Sequence, residues 1–105
     1  MIAKPGISAY VAAKHGVIGL SKAAAVEYAN QGIRINALAP GLVETAMTKP
    51  WFDDVTMRSY FMANSPTGRF AQPEEIAGTV LFLCSDFASF AVGQTFVIGG
   101  GYTTR

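Results

Sequence analysis

The sequence has few of the residues that disulfides and metal sites require. Its 105 residues include one cysteine, Cys84, and one histidine, His15. A single cysteine cannot form an intrachain disulfide, and neither residue has neighbours at the spacing of metal ligands. The sequence therefore predicts no metal site and a reducing, cytoplasmic setting. We expect Cys84 to be a small buried hydrophobic residue and His15 to be a structural or surface residue.

Charged residues are also scarce, at 14% of the chain, and the formal net charge is +1. Lysine and arginine are scattered singly, so no basic patch is predicted to attract nucleic acid or an anionic membrane. Charged or glycine residues interrupt every apolar run before it reaches the ~18 residues that a membrane helix needs. The first residues lack the charged and then apolar pattern of a signal peptide, so we expect none. We expect a soluble protein whose partners include neither nucleic acid nor membrane.

Hydrophobic residues, by contrast, make up 50% of the chain. The length fits one small domain, which buries a smaller fraction of its surface than a large one does. This apolar excess predicts either a partner surface or a piece of a larger fold.

The first 41 residues have the pattern of one helix and one strand. Residues 9–30 are rich in alanine, leucine, lysine and glutamate and lack proline, which predicts a helix that Gly32 ends. Residues 33–39 form an apolar and β-branched run, which predicts a mostly buried strand closed by a turn at Pro40 and Gly41.

The remaining chain has an irregular segment, then a second helix and strand. Residues 46–70 contain a cluster of aromatic side chains and a weak helical period over 52–64. Such a segment is either a lid over a binding site or a hydrophobic cover for the core, and the pattern favours neither. Proline at the first helical position and two acids in the first turn predict a helix over 73–85, and 93–98 reads as a strand.

The predicted order is helix, strand, flap, helix, strand. Two strands joined through a helix pair in parallel, but two parallel strands do not make an independent sheet. The sequence therefore predicts the second half of a doubly wound parallel α/β domain.

Tyr10 and Lys14 are the residues that could carry chemistry. They are four residues apart in the first predicted helix and therefore share one face. An ammonium beside a phenol stabilises the phenolate, which suits proton transfer. The spacing alone also occurs by chance in many surface helices.

Four stretches of the sequence resemble the carboxy-terminal part of classical short-chain dehydrogenases/reductases, which are Rossmann-fold oxidoreductases. They include the motif Tyr10-x-x-x-Lys14 and the run from Asn36 to Pro40 and Gly41. The matching stretches are residues 8–16, 32–45, 69–77 and 93–100. The resemblance implies that residues 1–105 are the carboxy-terminal part of one NAD(P)-binding Rossmann domain, with 46–70 as the substrate-binding flap.

The resemblance also implies a reaction and a site. The cofactor would be NAD or NADP, and hydride would move between it and an alcohol or ketone. Tyr10 would be the general acid/base, and Lys14 would assist it and bind the nicotinamide ribose. Four further residues would contact the nicotinamide part of the cofactor. These are Pro40, Gly41, Val43 and Thr45.

Other features of the family depart from this chain or are absent from it. Asn36 corresponds to a structural rather than a catalytic position, and Gly99 stands where members often carry aspartate. The family's glycine-rich phosphate loop does not occur, and its catalytic serine would precede Met1. We therefore expect the chain to be incomplete, with the full protein a homodimer or homotetramer. The alternative is a noncatalytic remnant or an interaction module.

Overall fold

The computed structural model of the chain describes residues 6–102. This range contains four α-helices, two short 3₁₀ turns and two strands. The elements are α1 (Ser8–Tyr28), a 3₁₀ turn (Ala29–Gln31), β1 (Ala37–Pro40), α2 (Lys49–Asp53), α3 (Val55–Ala63), α4 (Pro73–Leu83), a second 3₁₀ turn (Asp86–Ala88) and β2 (Thr95–Ile98).

These elements are divided between two compact units. The first unit consists of Met1–Leu38 and Phe82–Phe96, and the second of Ala39–Leu81 and Val97–Arg105. The first therefore holds α1, and the second holds α2 and α3. The chain passes from one unit to the other at three places, which lie within β1 after Leu38, near the end of α4 after Leu81, and within β2 after Phe96.

The first helix confirms the prediction from composition. Predicted over 9–30, α1 extends from Ser8 to Tyr28 and continues into the 3₁₀ turn. Gly32 follows with a φ of 77°, in the left-handed region that glycine enters without steric cost. The helix therefore ends where the sequence predicts.

Very little of α1 is buried. Ala25 is its one buried residue, and Leu20 and Val26 are 71% and 80% exposed. The contact at Ala25 is close, because a Cβ atom placed on Gly93 would lie 3.4 Å from the Ala25 Cβ. Small residues thus allow the chain near β2 to approach the helix. Most large apolar side chains of α1 face solvent.

The first strand is shorter and less buried than predicted. The sequence predicts a mostly buried strand over 33–39, whereas β1 is Ala37–Pro40 and its residues are half-buried or exposed. The preceding residues combine one main-chain bond, from the Gly93 amide to the Ile35 carbonyl oxygen at 2.9 Å, with hydrogen bonds from side chains. Arg34 donates to the carbonyl oxygens of Leu83 and Ser85, at 3.0 and 3.2 Å.

Asn36 bonds to the main chain that leads into β2. Its Nδ2 donates to the Ala91 carbonyl oxygen at 2.9 Å, and its Oδ1 accepts from the Gln94 amide at 3.1 Å. One side chain thus meets both a carbonyl and an amide of the opposite segment. These two bonds help to fix the register in which the two strands pair.

The two strands pair in parallel, as the sequence predicts. In the first unit, the Ala37 amide donates to the Gln94 carbonyl oxygen at 2.9 Å. In the second unit, the Gly41 amide donates to the Ile98 carbonyl oxygen at 3.0 Å. The donor and the acceptor both advance by four residues, which is the pattern of parallel strands.

The predicted helical period in the flap resolves into two helices. They are separated by Asp54, whose Oδ1 accepts from the Met57 amide at 3.0 Å and so caps α3. The fourth helix begins at Pro73, as predicted, with Glu74 and Glu75 in its first turn.

The prediction that Cys84 is buried is wrong. Cys84 follows directly after α4 and is exposed. Apolar neighbours in sequence suggested burial, but α4 has no buried residue, and Cys84 after it is exposed too. Across residues 6–102, no helix has both the length and the apolar character needed to cross a membrane.

We expect Asn36→Asp to lower the free energy of unfolding by about 1–3 kcal/mol, because the new carboxylate cannot donate to the Ala91 carbonyl oxygen. Urea denaturation of the chain measures this change. The matched control is Asn30→Asp, since Asn30 is exposed and makes no side-chain hydrogen bond within the described range. Equal effects of the two substitutions would contradict the role of Asn36.

Candidate functional site

Tyr10 and Lys14 lie together at the start of α1, as their spacing predicts. The Lys14 Nζ is 5.3 Å from the centroid of the Tyr10 ring, in the geometry of a cation–π contact. The Tyr10 side chain is 58% exposed, and no hydrogen bond joins its hydroxyl to Lys14 in residues 6–102. The phenol is thus accessible and carries a cation beside it, which are two requirements of a proton-transfer residue.

The neighbouring histidine takes no part in this pair. His15 Nδ1 lies 2.9 Å from the Val11 carbonyl oxygen, one turn back along α1, and the residue is exposed. This bears out the prediction of a structural or surface residue.

The turn after β1 brings two glycines into contact in the second unit. A Cβ placed on Gly41 would lie 2.8 Å from the Gly99 Cα and 3.0 Å from its carbonyl oxygen. Backbone atoms cannot move aside as a flexible side chain can, so position 41 requires glycine for this close approach. Pro40 precedes it as the exposed last residue of β1.

Beyond this turn, the main chain at Val43 points one hydrogen-bonding group outwards. Val43 forms a parallel bridge with Ala71, in which the Ala71 amide binds the Leu42 carbonyl oxygen and the Glu44 amide binds the Ala71 carbonyl oxygen. In such a bridge, the groups of the central residue point away from the partner. The Val43 amide accordingly has no hydrogen-bond acceptor within residues 6–102.

Thr45 adds a hydroxyl group two residues further on. It is exposed, and its Oγ1 lies 3.3 Å from the Thr48 Oγ1. An outward amide and an accessible hydroxyl, two residues apart, can serve a ligand that offers both an acceptor and a donor.

The flap carries a small aromatic cluster of its own. The ring centroids of Phe52 and Phe70 are 4.0 Å apart in an edge-to-face contact, and the Phe61 ring centroid lies 6.4 Å from that of Phe70. The ring centroids of Trp51 and Tyr60 lie 5.9 and 5.6 Å from that of Phe61. Such pairs are favourable beyond the area they bury. The flap is therefore held partly by its own side chains, and its contact with substrate stays a prediction.

An ion pair and an amide–carboxylate bond hold the end of the flap, and sequence reasoning assigned neither. Arg69 binds Glu75 through two nitrogens, at 2.8 and 3.1 Å. Gln72 donates to the Glu44 carboxylate at 2.7 Å. The six-residue spacing of opposite charges around Pro73 was the available signal. The hydrogen bonds from Arg69 hold the pKa of the Glu75 carboxyl below its ordinary range.

The predicted site residues thus fall into two groups. Tyr10 and Lys14 belong to the first unit, and Pro40, Gly41 and the segment 43–45 belong to the second. Among the residues that the structure describes, no cluster of histidine, cysteine, aspartate or glutamate is arranged to hold a metal ion.

Comparison with known proteins assigns the chain to a family. A family model described as enoyl-(acyl carrier protein) reductase matches residues 1–103. The chain belongs to this short-chain dehydrogenase/reductase family of Rossmann-fold proteins. It is 49% identical to the cyclohexanol dehydrogenase of Acinetobacter sp. (strain SE19) over 105 residues, which is 100% of this chain and 40% of that protein. It is 45% identical to a 3-oxoacyl-[acyl-carrier-protein] reductase of Thermotoga maritima over 97 residues, or 92% of this chain and 39% of that protein.

Solved structures agree with this assignment. A 4-hydroxyisoleucine dehydrogenase complexed with NADH matches with a TM-score of 0.95 and 38% identity, over 99% of this chain and 43% of that one. A gluconate 5-dehydrogenase from Burkholderia cenocepacia J2315, in complex with NADP and tartrate, matches with a TM-score of 0.93 and 36% identity. That match covers 99% of this chain and 41% of the other. The chain thus spans about two fifths of the length of the relatives it matches.

We expect Arg69→Met to raise the pKa of Glu75 towards its ordinary value, because the substitution removes the hydrogen bonds that stabilise the carboxylate. Carboxyl ¹³C chemical shifts measured against pH report this change. Since the pKa of Glu75 is lowered in the folded chain, its contribution to stability is present near neutral pH and is lost as the pH falls through the folded-state pKa.

The contribution of this pair to stability is small, because Arg69 and Glu75 are 60% and 42% exposed. Arg58→Met is the control, since it removes a guanidinium that does not bond to Glu75. If both substitutions moved the titration of Glu75 equally, the pairing with Arg69 would not be its cause.

Proposed function

We propose that the chain forms part of an NAD(P)-dependent oxidoreductase, which transfers a hydride between the nicotinamide cofactor and an alcohol or carbonyl substrate. The observation that carries this proposal is the outward amide of Val43 beside the accessible hydroxyl of Thr45. A nicotinamide carboxamide presents one carbonyl acceptor and one amide donor, which complement these two groups. Relatives of known structure bind NADH or NADP.

The residues after β1 would hold the nicotinamide. The Val43 amide donates to the carboxamide oxygen, and the Thr45 hydroxyl binds the amide nitrogen. Pro40 and Gly41 bring the main chain past the ring at the carboxyl end of a parallel strand, where ligands of open α/β sheets bind. The bound cofactor supplies the hydride chemistry.

Tyr10 would move the proton that accompanies the hydride. In the reduction, its hydroxyl gives a proton to the substrate oxygen, and in the oxidation the phenolate accepts one from the substrate hydroxyl. Lys14 stabilises the phenolate through its charge and binds the nicotinamide ribose. The 5.3 Å separation of the Lys14 Nζ from the Tyr10 ring supports this pairing. General acid/base catalysis of this kind contributes about 10²–10⁴ in rate.

The substrate would be a small alcohol or ketone held by the flap. Residues 46–70 then form the substrate-binding part of a single NAD(P)-binding Rossmann domain to which residues 1–105 contribute the carboxy-terminal portion. The apolar aromatic cluster of the flap favours a substrate with an apolar body. The cyclohexanol dehydrogenase, a relative of this chain, is named for a substrate of this kind.

The protein would act as a homodimer or homotetramer in the cytoplasm. Exposed apolar side chains on α1, such as Leu20 and Val26, support association with further polypeptide. The exposed thiol of Cys84 is compatible with a reducing compartment.

Tyr10→Phe tests the proposal in a chimera in which residues 1–105 replace the matching stretch of the Acinetobacter cyclohexanol dehydrogenase. We expect turnover to fall by about 10²–10⁴, because phenylalanine has no proton to exchange. Cofactor binding, measured by fluorescence titration, should be retained. Tyr28→Phe is the control, since it removes a partly exposed hydroxyl elsewhere on α1.

Unchanged turnover in Tyr10→Phe would overturn the role of this residue. A chimera that folds but binds no nicotinamide cofactor would instead favour the noncatalytic alternative, an interaction module.

A further inference from the structure

We propose that Thr48 is a positioning residue for the nicotinamide carboxamide, because its hydroxyl fixes the direction of the Thr45 hydroxyl and holds the Val43 carbonyl oxygen, in the peptide that follows the Val43 amide. This inference rests on the proposed function, since it concerns how the turn holds the same ligand. The residue lies just before α2, in the second unit with the groups that it orients.

The Thr48 hydroxyl has polar groups of both Val43 and Thr45 within hydrogen-bond distance. Its oxygen lies 2.7 Å from the Val43 carbonyl oxygen, the shortest of its contacts with possible acceptors. The Thr45 carbonyl oxygen and hydroxyl are further away, at 3.2 and 3.3 Å. A hydroxyl has one proton, so the closest acceptor, Val43, receives it.

This use of the proton determines the bonding between the two hydroxyls. The Thr45 amide donates to the Thr48 Oγ1 at 3.0 Å, which occupies one of its two lone pairs. The second lone pair is left for the Thr45 hydroxyl, which lies 3.3 Å away. Since Thr48 has already given its proton to Val43, Thr45 must be the donor between the two hydroxyls.

The Thr45 hydroxyl is thereby turned into an acceptor towards the ligand. Its proton points to Thr48, and one lone pair faces the Thr48 amide at 3.4 Å, although that amide is nearer to the Thr45 carbonyl oxygen, at 3.2 Å. The other lone pair has no donor within the described range, and Thr45 is exposed. It is therefore directed to accept a hydrogen bond, and the amide nitrogen of a carboxamide supplies one.

Thr48 also completes the fixation of the peptide that follows the Val43 amide. One end of the peptide between Val43 and Glu44 is held by the Ala71 carbonyl oxygen, which accepts from the Glu44 amide at 2.8 Å. The other end is the Val43 carbonyl oxygen, which Thr48 holds. Thr48 is half-buried and Thr45 is exposed, as expected of a supporting and a contacting residue.

The test compares two cofactors in the cyclohexanol dehydrogenase chimera. One is the natural oxidised cofactor, and the other is its 3-acetylpyridine analogue, which keeps the carbonyl group but lacks the amide N–H. We expect the unmodified chimera to bind the natural cofactor about fivefold more tightly, the effect of one hydrogen bond. Isothermal calorimetry gives both dissociation constants, independently of turnover.

Thr48→Val should reduce this preference to nearly none, because the Thr45 hydroxyl loses the acceptor that orients its proton. Thr48→Ser should restore it, since serine keeps the hydroxyl. In a Thr45→Val background, the further change at Thr48 should leave the preference unaltered, because the two residues act through one bond. Thr56→Val is the control, as an exposed threonine of α3 with no side-chain hydrogen bond within residues 6–102.

A purely structural role of Thr48 would lower the melting temperature of Thr48→Val and weaken both cofactors equally, which would overturn the inference. If Thr48→Val does not fold, Thr48→Cys is the alternative, because it nearly keeps the size of the side chain and weakens the bonds to Val43 and Thr45. We then expect an intermediate preference for the natural cofactor over its analogue. An unchanged preference would contradict the inference. A folded, unmodified chimera that binds neither cofactor would refute the proposed function, and the role of Thr48 with it.

Discussion

The side chain of Asn36 reinforces the main-chain pairing of β1 with β2. This residue bonds to the Ala91 carbonyl oxygen and the Gln94 amide directly before β1 begins. Side chains alternate between the two faces of a strand, so a slip of one residue would reverse every side chain that follows. β1 leads directly into the turn at Gly41, and the register therefore also determines which groups that turn presents.

Hydrogen bonds from side chains help to hold the elements of each unit, and few apolar side chains are buried. Arg34 binds two carbonyl oxygens after α4 in the first unit, and Arg69 binds Glu75 in the second. In residues 6–102, the buried hydrophobic residues are two alanines, Ala25 and Ala88. Phe90 is 100% exposed. Soluble proteins seldom leave so much large apolar surface in water, so this surface is suited to contact with further polypeptide.

The sequence predicted best those features that depend on neighbours along the chain. The limits of α1, the left-handed Gly32 and the start of α4 follow from local composition and helix-end chemistry. The position of Lys14 beside Tyr10 follows from one turn of helix. These features need no knowledge of what packs against them.

The failures concern residues whose environment is set by distant parts of the chain. The apolar sequence around Cys84 suggested burial, but composition does not show whether anything covers that side of a helix. The strand proved shorter than predicted, because β1 begins only at Ala37, after Asn36 has bonded to the opposite main chain through its side chain. Thr48 was missed because its hydrogen-bonding partners on Val43 and Thr45 come together only when the turn closes. The sequence signal that could have indicated this role is the spacing of Thr45 and Thr48, which are three residues apart.

The contact between Gly41 and Gly99 restricts the two positions unequally. A side chain at 41 would meet the backbone of Gly99 at 2.8 Å, whereas a Cβ at 99 would have its nearest neighbours at an ordinary 3.7 to 3.9 Å. Position 99 can therefore accept a Cβ atom while 41 stays glycine. Of the two touching glycines, the close approach of the backbones requires the one at 41 and leaves room for a side chain at 99.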